Sequence, residues 1–212
     1  MAGDIIVTLK LLEKVPQIEK MIKREMAKKL TMALKRNLSK LKREINDEVN
    51  EWMKESPELL AVAYGPLKGD FGIPKGQSAT EANKILDAIW RSVQVDFKPL
   101  DKDLRGGIII RIQPSEMGNI LSAVSPVKTE KGENLDWISW LLKRGDDIVV
   151  ADYHVVPGNH GRSGDAVMRE GGFFRVRPEY SGTLADNFIT RALKGREKQI
   201  LRIIARQFNV TF

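Results

Sequence analysis

From Gln17 to Lys54 the apolar positions are Ile18, Ile22, Met26, Leu30, Leu34, Leu38, Leu41, Ile45, Val49 and Trp52, each three or four residues from the next. That spacing places them all on one face of an α-helix. The stretch contains no Gly and no Pro, and Pro16 stands where a first helical turn accepts it. Ser56-Pro57 ends the pattern, because a residue before proline avoids the helical region. Such a helix is roughly 55 Å long at about 1.5 Å per residue. The apolar repeat averages about 3.8 residues, wider than the 3.5 of a left-handed coiled coil. Two readings of the stripe stay open: a helix packed across its own sheet, or a helix shared with neighbouring subunits.

Beyond Pro57 the pattern shortens. Residues 57–76 are a short apolar run followed by a Gly/Pro-rich loop whose Leu67, Phe71 and Ile73 call for a surface to pack on. Thr80 to Trp90 reads as a helix capped by Ser78 or Thr80. Arg91 to Phe97 alternates as a strand, and Gly107 to Ile112 is a β-branched strand. Met117 to Val124 is readable either way. Asn134 to Gly145 reads as a helix closed by basic residues and glycine. Asp147 to Val156 is a strand, Pro157 to Gly164 a loop, and Phe173 to Arg177 another strand. A last helix spans Thr183 to about Phe208, with Leu184, Phe188, Ile189, Ala192 and Leu193 on its apolar line and a weak point at Gly195. The order predicts an α+β fold: a long N-terminal helix, a small mixed β-sheet and a C-terminal helix packed on the sheet. The expected division is a helical arm, 1–56, and an α+β core domain, 57–212.

The chain has 212 residues, enough for one domain with at most an appendage. It has no cysteine, which excludes disulfides, thiolate metal sites and a cysteine nucleophile. Two histidines are too few for a histidine-rich metal centre. No apolar run approaches the ~18 residues of a membrane helix. The opening MAGDIIVTLKLLEK has no basic stretch before its apolar run and no small-residue cleavage site, so no secretory signal and a cytosolic compartment are expected. The net charge is +7, and its placement matters more than its size. Residues 14–43 hold eleven Lys/Arg against two Glu, a net of +9, while the flanking segments are near balance. This is a basic arm on a neutral body.

Reactive constellations are sparse. Gly161-Arg162-Ser163-Gly164 lacks the Gly-Lys-Ser/Thr ending of a P-loop, and Ser163 lacks a glycine two residues later for a nucleophile elbow. His160 and Asp152 allow a triad to be drawn with Ser163, but all would lie on one strand and its loop; a turn is the simpler reading. Asp146 and Asp147 point to opposite faces of a strand, and Asp152 with His154 supply only two ligands. Trp137 and Trp140 share a helix face and suit a core or an oligomer contact better than base stacking. The basic arm can neutralise phosphates, yet no base-reading module accompanies it. No catalytic residue, cofactor or metal is expected.

The second half carries an extended pattern. It begins Trp137-x-x-Trp140-Leu141-Leu142-x-x-Gly145-Asp146-Asp147-Ile148-Val149-Val150-x-Asp152-Tyr153. Gly161-Arg162-Ser163-Gly164 follows. Then comes Val176-x-Pro178-Glu179-Tyr180-Ser181-Gly182-Thr183-x-x-Asp186-Asn187-Phe188-Ile189-Thr190-Arg191-Ala192-Leu193. This resembles the neck, or tail-completion, proteins that join head to tail in tailed bacteriophages. The likeness covers 134–207 by motif and 1–133 by architecture alone.

The resemblance implies a non-enzymatic structural virion protein of the head–tail junction, a neck, tail-completion or tail-terminator ring subunit joining the capsid connector to the tail. It implies assembly in the host cytoplasm, a homo-oligomeric ring of six-fold or twelve-fold symmetry, and portal, adaptor and tail-tube proteins as neighbours. No membrane partner is expected. Candidate ring contacts are Trp52, Leu67, Phe71, Trp137, Trp140, Arg162, Arg191 and Arg202. Candidate channel- or DNA-facing residues are Lys28, Lys35, Arg36 and Lys42, in non-specific contact with passing DNA. The alternatives are a DNA-binding protein using the basic N-terminal helix, and a hydrolase using 152–164.

Overall fold

In the computed structural model, which describes residues 14–112, 117–128 and 132–207, the chain is α+β, with a long N-terminal helix, small sheets and C-terminal helices. The order is α1 (Val15–Lys54), α2 (Pro57–Ala63), α3 (Leu67–Asp70), α4 (Ser78–Ser92), β1 (Gln94–Lys98), β2 (Gly107–Arg111), α5 (Gly118–Ala123), β3 (Val127–Lys128), β4 (Asn134–Leu135), α6 (Ile138–Leu142), β5 (Ile148–Pro157), β6 (Ala166–Arg175), α7 (Phe188–Leu193) and α8 (Glu197–Gln207). The described strands form three separate two-stranded sheets, β1–β2, β3–β4 and β5–β6, where the sequence pattern suggested one.

Two compact units are formed. The first holds the described part of Met1–Ser39 together with Val95–Ile109. In it Ala27 is buried, Leu34 and Leu38 are half-buried, and Thr31 Oγ1 accepts the N–H of Leu100 at 3.1 Å. The charged turn after β1 is closed by Asp101, whose Oδ1 accepts the N–H groups of Asp103 and Arg105, both at 2.9 Å. Those two backbone hydrogen bonds hold the Asp101 carboxyl below its usual value. Gly106 is required where it stands. Its φ is +153°, and a Cβ there would meet Pro99 O at 2.6 Å.

The second unit holds Lys40–Gln94 and the described part of Ile110–Phe212. Leu41, Ile45, Val49, Trp52 and Met53 of α1 are buried in its core. Asn46 anchors the same face by donating from Nδ2 to Trp90 O at 3.1 Å. Ser56 caps α2 by accepting the N–H of Leu59, with Pro57 in the first turn. Helix α4 packs against α2 and α5. It starts at Ser78 without a side-chain cap; Ser78 Oγ donates to Ala63 O instead, so neither Ser78 nor Thr80 plays the capping role expected.

The β5–β6 ribbon is ten residues on each strand and antiparallel. Strand β6 begins seven residues earlier than the Phe173 start expected from sequence. Gly171 and Gly172, which look like a break, sit at positive φ inside the strand. With Asp152 at φ +64° and the register shift between Ala151 and Tyr153 opposite, they make a bulge that keeps the ladder going.

The expected C-terminal helix is two helices, parted at Gly195, whose φ is +76°. It starts at Phe188, not Thr183, because Thr183 N–H donates to Asp186 O and closes a turn first. The cap is Asn187, which accepts from the N–H groups of Ile189 and Thr190 while Thr190 Oγ1 accepts its own N–H. Neither Ser181 nor Thr183 caps the helix. Phe188 and Ile189 are buried, but Leu184, outside the helix, is 58% exposed. Ion pairs tie this region to helices: Arg191 to Glu58 of α2, and Arg206 to Glu44 of α1. The expected end near Phe208 lies outside the described residues.

Candidate interaction surfaces

Five of the residues expected to contact a neighbouring subunit are spent inside the chain. Trp137 is fully buried, and its ring lies 5.4 Å from that of Phe71, itself buried beside Leu67. Its Nε1 donates to Ser125 O at 3.2 Å. Trp140 is buried, donates from Nε1 to Asp147 O at 3.1 Å, and carries the Arg144 guanidinium 4.6 Å from its ring centre. Trp52 is buried under Arg196, 5.3 Å from its ring centre. The assignment of Trp52, Leu67, Phe71, Trp137 and Trp140 to ring contacts is therefore corrected to a core role. Each large apolar surface is already removed from water, and each indole N–H of the 137/140 pair has a backbone acceptor.

Arg191 is also committed internally. Nη1 lies 2.6 Å from Glu58 Oε1, Nη2 donates to Ser181 O at 2.6 Å, and Nε donates to Asp186 Oδ1 at 3.1 Å. Desolvation alone would lower its pKa, but the hydrogen bonds and charges of Asp186 and Glu58 outweigh it and raise it. The expectation of an exposed, partner-facing Arg191 is corrected: it is a clamp between α2 and the turn before α7.

Arg162 remains exposed, yet its loop is docked. A guanidinium N–H donates to Lys128 O, and its carbonyl accepts the N–H of Lys75. Arg202 on α8 is exposed, as are Lys28, Lys35, Arg36 and Lys42 on α1. Lys28, Lys35 and Arg36 belong to the first unit and Lys42 to the second.

The drawn triad is not assembled. Ser163 is buried, and its Oγ accepts the N–H of Asp165 at 3.2 Å. No hydrogen bond joins Ser163 to His160 or Asp152, and His154, outside that set, pairs through Nδ1 with Gly171 O at 2.7 Å. Among the described residues no three His, Cys, Asp or Glu side chains are grouped to hold a metal. None of the described helices is long and apolar enough to cross a membrane.

An open cleft of about 680 Å³ lies along α4 and α5, lined by Lys84, Asp87, Arg91, Ser92, Asn119 and Ser122. Four of these groups already have partners: Lys84 Nζ is 2.8 Å from Glu81 Oε1, Asn119 Nδ2 donates to Ala88 O, Ser92 Oγ donates to Ile89 O, and Ser122 Oγ donates to Asn119 O.

Two buried carboxylates, Glu58 and Glu81, and a half-buried one, Asp70, escaped the sequence reading. Glu58 is 2% exposed and pairs with Arg191; the sign of it was an acid inside the apolar run Pro57–Ala63. Asp70 pairs with Arg177, whose Nε is 3.4 Å from Oδ2. Burial raises the Asp70 carboxyl above its usual value, and Arg177 only partly offsets it.

The surfaces left over are apolar and charged. Met21, Ile22, Met26, Leu30 and Met32 are exposed on the first half of α1. Ile148, Met168 and Phe173 are exposed on the β5–β6 ribbon. No family model matches the chain, and no curated protein or solved structure matches it significantly.

Proposed function

We propose that the chain is a structural subunit of a homo-oligomeric ring at the head–tail junction of a tailed bacteriophage, where it joins the capsid connector to the tail. The observation that carries the assembly half of this reading is the apolar surface exposed on α1 and on the β5–β6 ribbon. An isolated two-stranded ribbon is marginal in water, and one with Phe173, Met168 and Ile148 outward gains from being covered. The placement in a neck rests on the 134–207 sequence pattern. In the structure that pattern ends with β6, the turn at Pro178 and α7.

The test is the mass of the full chain by mass photometry, with negative-stain images, and antibody labelling of virions that carry it. A closed ring of six or twelve copies, labelled at the neck, is expected. A chain that stays monomeric at every concentration and labels no virion overturns the reading. The proposed role includes no turnover, so a His154→Ala/His160→Ala/Ser163→Ala variant that folds and assembles should restore plaque formation.

A second reading, a DNA-binding protein using α1, is favoured by the exposure of Lys28, Lys35, Arg36 and Lys42. It requires tight, sequence-selective duplex binding at physiological salt. The ring reading expects only weak, sequence-blind binding that falls steeply with salt.

A further inference from the structure

Helix α1 is divided by charge. Residues 14–43 carry eleven basic and two acidic side chains, while 44–58, which runs through the end of α1 into α2, carries six acidic and one basic. On the basic part, Lys20, Arg24 and Lys28 recur at four-residue spacing and are exposed. On the acidic part, Asp47, Glu51 and Glu55 do the same, with Glu51 also bonded to Lys54. Spacing by four aligns each set as a row along the helix.

The basic part is more than a row of cations. Met21, Ile22, Met26, Leu30 and Met32 are exposed among them, and even Leu30, the least exposed of the five, is 43% exposed. Phosphates would neutralise the lysines but leave those aliphatic groups in water. A partner that suits the segment must offer carboxylates together with apolar side chains. The chain itself has such a place. Next along the chain after the acidic row, Leu60 of α2 and Tyr64, the residue that closes that helix, are both exposed.

Side chains on one helix meet only three or four positions apart, so the 20–28 row cannot reach the 47–55 row of its own helix. We infer that the first half of α1 docks on the acidic row and the Leu60/Tyr64 patch of a second copy of this chain. The contact joins two different patches, so it repeats from copy to copy and closes into a ring if the rotation allows. It deepens the ring-subunit reading and rests on it for the existence of an assembly.

The test uses the full-length chain in two variants, Lys20→Glu/Arg24→Glu/Lys28→Glu and Asp47→Lys/Glu51→Lys/Glu55→Lys. All six positions are exposed, and circular dichroism checks the fold of each variant. Association, read as particle mass against concentration, should weaken at least about tenfold in either variant alone. Mixing the two in equal amounts should restore the parent mass, because each reversed arm now matches the other's reversed acceptor. Association of the parent should also weaken as salt is raised. Folded variants that keep the parent's mass overturn the docking and leave the ring reading standing. A parent that forms only dimers, rescued by mixing the variants, supports the docking and removes the ring. A parent that is monomeric alone but binds random duplex DNA or anionic vesicles overturns both.

Discussion

Arg191 Nη1 lies 2.6 Å from Oε1 of Glu58, joining α7 to α2 across 133 positions of sequence. The carboxylate is almost wholly buried, while the arginine is partly open to water. Removing the arginine strands a buried charge, and that loss exceeds what the pair itself contributes. Arg191→Met should therefore cost about 2–4 kcal/mol, somewhat under the fully buried case because of its exposure. Glu58→Leu/Arg191→Met should regain most of it, since neither charge is then left alone. Urea unfolding of the three proteins measures this. An Arg191→Met stability within about 0.5 kcal/mol of the parent would show that the clamp contributes nothing.

Phe188 is fully buried at the first turn of α7. Phe188→Ala should cost about 3–5 kcal/mol, the usual toll of emptying an aromatic site. A domain stabilised by only ~5–15 kcal/mol then loses a large share of its margin. Arg202→Glu on the exposed side of α8 should leave the melting temperature within a few degrees of the parent. If Phe188→Ala melts like the parent, the α7 face is not part of the core.

What was legible in the sequence follows from what was local. The α1 stripe was readable because ten apolar residues repeat at one period, and a period survives whatever packs against it. Phe188 and Ile189 were readable as core for the same reason. Leu184 was misread because its place in the period was correct, while the Thr183–Asp186 turn delays the helix past it. The length of β6 was hidden by Gly171-Gly172, since glycine signals a break and a bulge alike. The roles of Trp137, Trp140 and Arg191 were hidden for another reason. Whether an aromatic or a guanidinium faces its own chain or a partner depends on residues such as Glu58 and Phe71, far away in sequence. The basic excess of 14–43 was visible as composition, while the acidic row at 47, 51 and 55 was averaged away in a balanced segment, and only exposure in the fold separates a solvated row from a buried one.

Asp70 should leave a signature in the pH dependence of stability. Burial raises its folded pKa above the ordinary 3.8, against the partial offset of Arg177. In the window just above 3.8 the folded chain holds this proton more than the unfolded chain does. Stability contributed at this site is therefore greatest below 3.8 and falls as pH rises through the folded value. Asp70→Asn removes that titration. The stability of the variant relative to the parent should rise as pH climbs above the ordinary 3.8 and level off once pH has passed the raised folded value. Denaturant unfolding at several pH values tests it, and a difference that falls with rising pH contradicts the burial of this carboxyl.

Gly182 should tolerate no side chain, for reasons of space and not of backbone conformation. Its N–H donates to Trp140 O at 2.9 Å, and its carbonyl accepts the N–H of Gly145 at 2.8 Å. The turn before α7 is thus laid directly against the end of α6. A Cβ on Gly182 would overlap the carbonyl of Leu141 and come within 2.9 Å of the Cβ of Asn187. The obstacles are backbone and a capping residue, so neither can swing aside as the tip of a long side chain would. Gly182→Ala must lift the turn, stretching both hydrogen bonds and displacing the cap of α7. Overpacking and two weakened buried hydrogen bonds together should cost about 2–5 kcal/mol. Gly118→Ala is the matched control. A Cβ there meets nothing within 4 Å, and it lies in α5 without positive φ, so alanine should be neutral or slightly stabilising. Thermal melts of the two variants decide it: Gly182→Ala within about 2 °C of Gly118→Ala would mean that the turn does not rest on α6.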